Sequence, residues 1–579
     1  MIRSVVPLLL RRMRVPLAVL IGVYGVAVLG FTLMPGVDDQ GNVWHMSIFQ
    51  AFYVVSYTGS TIGFGEVPYP FSDAQRLWTM ASIYMTVFAW LYSVGTIISL
   101  LQDTGFRQAL LMARLQRSLS SFSEPFYIIC GYGDTGRLLA RSLLNRGRRV
   151  VIVDKDPHNV EDLRTRDLGV YVPAFCMDAE IPDNLLTAGL QHRWCAGVLA
   201  VTDDDHANLK VAITVKLLNS KIKVFCRADA LATVDNMLSF GTDLVVNPYQ
   251  DFAHRLLMGI FEPDSHRVYD WLTSLPDYPL PERPEPPQGR WIICGYGRFG
   301  RAVHRALTSR GIEVTLVVEN AKEKGCPPGT IEGKGTEAVT LRAAGIESAS
   351  ALVAGTEDDA DNLSIIMTAR ALNPDIYQVA QENRLHNRAL FQAADVALAV
   401  QTSYIIASRF LSVLGASLLK EFLEQAGEQG NEWNRALALR MRQGCDALTP
   451  ESWTLRVSKN RAPAVALALD LNESVTLATL CRDPRDRTRS LDTIALMLER
   501  QGERQLLPAG ETPLQMGDRV LFCGTERALD LMSWNVSHLS VLRYVHNGEQ
   551  HPDGWIWRRL AKRRRERAAG VPEVDETTV

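Results

Sequence analysis

The sequence lacks several features that identify common classes of protein. None of its nine cysteines forms a C-x-x-C pair, so neither a zinc site nor a disulfide framework is indicated, and reduced cytosolic thiols are expected. Basic and acidic residues nearly balance, with a formal net charge of −3, and no nucleic-acid partner is predicted. Nothing has the spacing of a catalytic dyad, which argues against an enzyme.

Charge is also missing from two long stretches near the N-terminus. Residues 15–34 and 77–101 contain no charged residue, and each is long enough to cross the roughly 30 Å hydrocarbon core of a bilayer. A signal peptide and a buried core helix are the alternatives, but the runs are long for either. Four arginines precede the first run, which places the N-terminus in the cytoplasm. Two crossings return the rest of the chain to the same side.

A short apolar segment with closely spaced glycines lies between the two predicted spans. Residues 46–62 are too few to cross a bilayer and return, which predicts a re-entrant helix followed by a loop. Irregular backbone at that depth is tolerated where it lines a water-filled pathway. The alternating glycines of TIGFG (61–65) allow successive carbonyls to point the same way, where they can replace the hydration shell of an ion.

This loop resembles the selectivity filter of potassium channels, in which the family has TVGYG. The resemblance implies a K⁺-binding filter and a homotetramer, because one chain with two spans cannot close a pore. Phe64 lacks the family's tyrosine hydroxyl, and Glu66 stands where the family has aspartate. No arginine-rich helix precedes the loop, so no voltage sensor is expected. The expected filter residues are Thr61, Ile62, Gly63, Phe64 and Gly65.

One glycine, Gly95, lies deep in the second predicted span. Glycine weakens a helix at that position, so a specific role is expected. Two roles remain open, a gating hinge and a small residue that lets helices pack closely.

The rest of the chain contains an internal repeat. Residues 126–136 (FYIICGYGDTG) and 290–300 (RWIICGYGRFG) each join an apolar strand to G-x-G-x-x-G, and a helical run, a second strand and an acid follow in both copies. This order is the dinucleotide-binding fingerprint, in which glycines admit a pyrophosphate to a helix N-terminus and the acid binds a ribose. The acid favours NAD or another adenosine nucleotide over NADP. An α/β Rossmann-like fold with an empty site is the alternative.

The two copies predict two sets of nucleotide-binding residues. Those of the first copy are Gly131, Gly133, Asp134, Thr135, Gly136, Asp154, Lys155, Asp178, Thr202 and Arg227. Those of the second copy are Gly295, Gly297, Arg298, Phe299, Gly300, Glu319 and Thr356. Arg227 aligns with Gln381, whereas Arg298 has a phosphate-facing position in the second loop only, so the sites are expected to prefer different ligands among NAD, ADP and ATP.

Two acidic turns occupy equivalent positions in the copies, at 203–205 and 357–359. Such turns attract Ca²⁺ or another divalent cation, or they complement the N-terminus of the helix that follows, and the second role is favoured.

Two Rossmann units behind a pore helix resemble the regulator-of-potassium-conductance (RCK) domains of prokaryotic two-transmembrane potassium channels, over residues 15–535. The resemblance implies an inner-membrane channel with cytoplasmic RCK domains, eight of which form a gating ring in the tetramer. It also implies pairing through residues 243–261 and 396–414, and gating through the segment 102–122 as ligands shift the ring between conformations.

Two other functions are weighed against the channel. The regulatory subunit of a potassium uptake system uses the same tandem fold, but the attached filter disfavours it. An NAD-dependent membrane oxidoreductase needs a catalytic acid or base, and none is identified in the sequence.

The predicted organisation has a membrane part and a cytoplasmic part. The segments are a pore domain (1–103), a linker to the ring (104–124), a first RCK domain (125–275), a proline-rich linker (276–289), a second RCK domain (290–430), a small α+β lobe (431–540) and a basic, flexible tail (541–579). Tryptophans and arginines at 555–570 are compatible with binding to an anionic lipid surface, but a solvated C-terminal end is the favoured interpretation.

Overall fold

A computed structural model describes residues 2–274, 284–445 and 448–548. The chain forms two compact units, Met1–Ser123 and Glu124–Val579. The basic stretch at 555–570 and most of the predicted proline-rich linker lie outside the described residues.

The first unit is built from long apolar helices. Its elements are α1 (Ile2–Leu33), β1 (Pro35–Val37), β2 (Val43–His45), α2 (Ile48–Gly59), α3 (Asp73–Gln102) and α4 (Thr104–Ser120). Among the described residues, two helices are long and apolar enough to cross a membrane, over Met13–Leu33 and Asp73–Leu100, as the uncharged runs predict. The intervening α2 has 12 residues, too few for a span, and begins at a capping box between Ser47 and Gln50.

Small residues let these helices approach closely. A Cβ on Gly30 would lie 2.1 Å from the Trp78 ring, whose Nε1 donates to the Ala27 carbonyl of α1 at 3.0 Å. A Cβ on Gly59 would lie 2.4 Å from the Tyr24 hydroxyl. Glycine at these two positions therefore fixes how α2 and α3 pack against α1.

The second unit contains two Rossmann-like domains of the same topology. The first comprises β3 (Phe126–Cys130), α5 (Asp134–Asn145), β4 (Arg149–Asp154), α6 (Pro157–Thr165), β5 (Ala174–Cys176), α7 (Pro182–Thr187), β6 (Cys195–Ala200), α8 (Asp205–Leu218), β7 (Lys223–Arg227), α9 (Leu231–Ser239), β8 (Leu244–Val246), α10 (Pro248–Phe261) and α11 (Pro263–Thr273). The second comprises β9 (Trp291–Cys294), α12 (Arg298–Ser309), β10 (Val314–Val318), β11 (Ile331–Glu332), α13 (Ala338–Ala343), β12 (Ala351–Ala354), α14 (Asp359–Leu372), β13 (Tyr377–Glu382), α15 (Arg388–Ala393), β14 (Leu398–Gln401) and α16 (Thr402–Gly415). Two further helices, α17 (Leu419–Glu428) and α18 (Asn431–Gly444), lead into the C-terminal lobe and share a core with Trp271 of α11.

Both sheets are parallel, with the orders β5-β4-β3-β6-β7-β8 and β11-β10-β9-β12-β13-β14. The strand before each glycine loop is central and pairs on both sides, so that Cys130 lies beside Val153 and Ala200. Strand order reverses at this strand, and ligands of such sheets bind outside the carboxyl ends at the reversal. The topology therefore puts each glycine loop at the expected binding edge.

The two domains exchange the helices that directly follow their last strands, α10 after β8 and α16 after β14. Phe252 of α10 packs against Phe299 of the second domain, with ring centroids 5.2 Å apart. Phe410 of α16 packs against Phe225 of the first domain at 5.7 Å and shares its core with Leu139. These helices lie in the segments predicted for pairing, and the structure confirms that they join the two domains within one chain.

The C-terminal lobe is α+β, as predicted. Its elements are β15 (Glu451–Arg456), α19 (Pro463–Asp470), α20 (Leu477–Leu480), β16 (Arg482–Asp483), β17 (Asp486–Ser490), β18 (Thr493–Arg500), β19 (Glu503–Leu506), β20 (Arg519–Gly524), α21 (Glu526–Ser537) and α22 (Leu539–Asn547). The predicted boundary at residue 540 is too early, because Leu542 and Val545 of α22 are buried in the core of the lobe. The sequence becomes polar directly after residue 545, so the short apolar turn before it is not recognisable as part of the lobe.

Substitution of Phe410 tests the helix exchange. Its side chain is fully buried in the first domain although α16 belongs to the second. We expect Phe410→Ala to lower the free energy of unfolding by about 3–5 kcal/mol, through lost burial and the cavity left behind. Urea unfolding of the detergent-solubilised protein measures this. Met367→Ala, at a position 67% exposed on α14, is the control, and an equal loss in both variants would contradict the exchange.

Candidate functional sites: two glycine loops and the TIGFG loop

The first and third glycines of each repeat are required by the backbone. Gly131 and Gly295 have φ of 99° and 101°, in the region that disfavours side chains. A Cβ on Gly136 would lie 2.1 Å from the Gly131 carbonyl oxygen, and a Cβ on Gly300 would lie 2.1 Å from that of Gly295. These glycines bring each helix tightly against its strand.

The second glycine of each loop leaves space for a ligand. A Cβ on Gly133 would meet nothing within 4 Å, and one on Gly297 would meet only Glu357, at 3.9 Å. Gly133 and Gly297 are the N-caps of α5 and α12, so neither helix has a side-chain cap for its first N–H groups. Uncapped N–H groups facing open space are the arrangement that binds a phosphate.

Two predicted contact residues are core residues instead. Thr135 is 3% exposed and Phe299 is 2% exposed, and a Cβ on Gly355 would lie 2.8 Å from the Phe299 ring. Their side chains face the core because the first turn of each helix packs on the sheet, and their contact with nucleotide stays a prediction. Their backbone N–H groups still lie in the first turn.

The two acids predicted to bind ribose have different surroundings. Asp154 is 8% exposed and accepts hydrogen bonds from the N–H groups of Tyr132, at 2.5 Å, and Asp156, at 2.7 Å. Its carboxylate therefore braces the glycine loop. The side chain of Glu319 is 58% exposed, with Lys334 Nζ at 3.8 Å, and is open to solvent. Lys155 is exposed beside Asp154, and Asp178 accepts from the Glu180 N–H at 2.9 Å.

Thr202 and Thr356 are held by asparagines that the sequence analysis did not single out. The N–H and hydroxyl of Thr202 donate to Asn208 Oδ1, at 3.0 and 2.8 Å, and Thr356 makes the same two bonds to Asn362, both at 2.8 Å. Both asparagines are fully buried. Their shared position in the ungapped repeats 197–209 and 351–363 was the available signal.

The acidic turns bind backbone groups. Asp204 and Asp358 cap α8 and α14, accepting from the N–H groups of His206, at 2.8 Å, and Ala360, at 2.7 Å. Asp205 accepts from the N–H groups of Asp229 and Ala230, both at 2.8 Å. The prediction that these turns complement helix N-termini is confirmed. The described ranges contain no group of three or more metal-ligating side chains.

Arg227 and Arg298 meet at one carboxylate. Asp229, whose side chain is 2% exposed, accepts from Arg227 at 3.0 and 3.1 Å and from Arg298 at 2.7 Å. Burial alone would lower the pKa of Arg227, but its bonds to Asp229 outweigh this and raise that pKa. Arg227 also contacts Asp203. Arg227 is thus held in ion pairs, and its contact with a ligand phosphate stays a prediction, whereas Arg298 is 61% exposed beside its own glycine loop.

The domains also meet at Asp134, whose Oδ2 accepts from the Leu385 N–H at 3.3 Å. Near this contact Glu382 is 4% exposed and accepts from Gln401 at 3.2 Å. Burial raises the pKa of Glu382 to about 7. The positive charge of Arg388 opposes this rise in pKa, and the negative charges of Asp359 and Asp134 add to it. A carboxyl group of near-neutral pKa thus lies at the junction of the domains.

The TIGFG loop has alternating torsions. Thr61, Gly63 and Gly65 have positive φ, of 62°, 63° and 94°. Residues Ile62 and Phe64 between them are both 62% exposed. Beyond the loop, Glu66 accepts from the Phe71 N–H at 2.8 Å and from Arg76 Nε at 2.9 Å, so the changed acid is anchored within the chain.

Comparison with known proteins agrees with the repeat. Residues 127–248 and 291–402 each match the TrkA-N domain. The chain carries two TrkA-N (RCK) domains in tandem. It is 28% identical over 201 residues to potassium channel protein 1 of Methanocaldococcus jannaschii, across 35% of this chain and 59% of that protein. It is 24% identical over 214 residues to the voltage-gated potassium channel Kch of Escherichia coli, across 36% and 49%.

These alignments span about half the length of each relative, and they make the chain a homologue of prokaryotic potassium channel proteins. Among solved structures, the GsuK channel bound to NAD aligns over 92% of this chain and 100% of its own, at 17% identity and a TM-score of 0.47.

The carboxyl group between the TrkA-N domains predicts a pH dependence of stability. Because folding raises the pKa of Glu382 from 4.5 to about 7, the folded state binds the proton more tightly, so stability falls as pH rises through that window. We expect Glu382→Gln to stabilise the protein at pH 8 by about 1–3 kcal/mol and to have little effect near pH 4.5, since a tenfold change in proton affinity is worth about 1.4 kcal/mol.

Unfolding at the two pH values measures this difference. Glu319→Gln, at the exposed acid after β10, is the matched control. A gain of equal size at both pH values would contradict the assignment.

Proposed function

We propose that the chain is one subunit of a homotetrameric, ligand-gated potassium channel whose TrkA-N domains bind adenine nucleotides. The observation that carries this proposal is the TIGFG loop, with positive φ at alternate residues, at the end of a short helix between two apolar spans. Carbonyls turned to one side by such torsions supply ligands for K⁺. The same chain carries both TrkA-N domains.

The number of subunits follows from the number of spans. Two spans and one loop cannot enclose a pathway, whereas four copies around an axis supply four loops and eight TrkA-N domains. In this arrangement the protein lies in the inner membrane of a prokaryote, with the TrkA-N domains in the cytoplasm.

Nucleotide binding is supported by the open space at Gly133 and Gly297 and by the uncapped starts of α5 and α12. We assign NAD, ADP or ATP to these positions, because an acid follows the second strand of each domain. The braced Asp154 and the exposed Glu319 make two unequal sites, which supports different ligands for the two domains.

Gating is assigned to the junction between α3 and α4. Asp103 is the single residue between these helices, and it caps α4 by accepting from the Phe106 N–H at 2.8 Å. Because no flexible loop intervenes, a displacement of α4 is transmitted directly to α3. A Cβ on Gly95 would meet nothing within 4 Å, so packing within the chain does not require glycine there, which favours a hinge. Eight sites contributing about 0.5–1 kcal/mol each suffice to move a gate from mostly shut to mostly open.

Ion flux tests the proposal. We expect the full chain in liposomes to pass K⁺ in preference to Na⁺ and at least one of NAD, ADP and ATP to change the flux severalfold. Gly63→Asp, which places a charge within TIGFG, should abolish flux. Absence of flux from folded, tetrameric protein under every nucleotide would contradict the channel, and flux that no nucleotide changes would contradict the gating.

The glycine loops are tested one at a time. Because a side chain at Gly133 or Gly297 has room only where the ligand would lie, we expect Gly133→Val and Gly297→Val to preserve the fold and to weaken nucleotide binding to their own domain at least about tenfold. Isothermal titration calorimetry with each nucleotide measures this. Gly427→Val, at an open position of α17 away from both loops, should bind as the wild type does. Unchanged binding in both loop variants would place the nucleotide elsewhere.

A further inference from the structure

One residue, Tyr57 of α2, makes hydrogen bonds to both ends of the TIGFG loop, through its backbone carbonyl and its side-chain hydroxyl. Its backbone carbonyl accepts from the N–H groups of Ile62, at 3.0 Å, and Gly63, at 3.4 Å. Its hydroxyl donates to the Gly65 carbonyl at 2.6 Å. The side chain itself is fixed, since Tyr57 is 6% exposed and belongs to the core of the first unit.

The rest of the loop has few restraints on its backbone. A Cβ on Gly63 or Gly65 would meet nothing within 4 Å, so among the described residues nothing packs against that side of either glycine. Phe64 contributes only its ring, which lies edge-on to Tyr57 at 5.7 Å and stacks on Tyr53 at 6.3 Å. The Tyr57 hydroxyl is therefore the group that orients the Gly65 carbonyl.

We propose that Tyr57 is a positioning residue for ion selectivity, whose hydroxyl fixes the Gly65 carbonyl and supplies the hydrogen bond that Phe64 cannot make. This inference rests on the proposed channel function. Carbonyl ligands favour a larger ion over a smaller one only while their spacing resists contraction, and contraction of this loop must move Gly65 toward its neighbours. A bond from a buried phenol opposes that movement at one end, and the Tyr57 carbonyl opposes it at the other.

A purely structural role for the hydroxyl is the competing explanation, because buried tyrosines usually find a hydrogen-bond partner. In that case the bond stabilises the first unit but leaves ion preference unchanged. The two explanations differ in what the loss of one oxygen atom does to selectivity.

Tyr57→Phe removes the hydroxyl and keeps the ring. Tyr69→Phe is the matched control, because Tyr69 lies in the same connection between α2 and α3 and packs edge-on against Trp44, at 5.1 Å. We expect Tyr57→Phe to lower the ratio of K⁺ to Na⁺ flux in liposomes about 3- to 10-fold, the range that corresponds to one hydrogen bond. We also expect faster hydrogen exchange across residues 57–66, with both quantities unchanged in Tyr69→Phe.

The outcomes separate the explanations. Faster exchange with an unchanged flux ratio would make the hydroxyl structural and overturn the proposal, and unchanged exchange would show that the bond does not order the loop. A wild-type protein that passes no K⁺ would refute the proposed channel function. A wild type that conducts K⁺, with a flux ratio that Tyr57→Phe leaves unchanged, would refute only the role of Tyr57. If Tyr57→Phe does not assemble, fluorinated tyrosine at position 57 keeps the shape and strengthens the donor, and it should slow exchange and raise the ratio. No change with that substitution would also overturn the proposal.

Discussion

Both units must supply partners for backbone N–H and C=O groups that regular secondary structure does not pair. The first N–H groups of α5 and α12 have no side-chain cap, because glycine precedes each helix. The TIGFG loop departs from helix and strand torsions, so its carbonyls lack the partners of regular structure, although that of Gly65 accepts from the Tyr57 hydroxyl. Such groups are costly when buried and are tolerated where a ligand, an ion or water replaces the missing partner. The remaining structure keeps these groups at fixed positions.

Each unit achieves this through buried polar anchors behind the exposed backbone. In the TrkA-N domains, Asp154 braces the loop after β3, and Asn208 and Asn362 hold Thr202 and Thr356 at the neighbouring strand ends. In the first unit, the buried anchor is Tyr57 of α2, and the exposed ion pair of Glu66 with Arg76 adds a second restraint at the surface. The exchanged helices α10 and α16 then fix one TrkA-N domain against the other, so neither glycine loop can move without disturbing a shared core.

The sequence predicts what local patterns determine. Uncharged runs locate the spans, and the repeated glycine pattern locates both domains and their topology, because strand order around such a loop is strongly constrained. It does not predict which side chains turn inward. The repeat predicts both Phe299 and Arg227 at the nucleotide sites, but it does not predict that the Phe299 side chain is buried or that Arg227 binds Asp229. Phe299 packs against Phe252 of the first domain, and Arg298 binds Asp229, 69 residues away; no local period encodes such distant partners.

Asp229 is where the two domains become unequal. The equivalent position in the second domain is Asn383, which accepts from the neutral Gln381 at 2.8 Å, so only the first domain holds a buried carboxylate between two arginines. An anionic ligand bound at the second glycine loop, as proposed, would compete with that carboxylate for Arg298. If Arg298 leaves, Asp229 keeps Arg227 but loses one of its two cations, which weakens the balance of charge at the end of β7. Under the proposed nucleotide binding, occupation of the second site would therefore change the electrostatics of the first through Arg298 and Asp229.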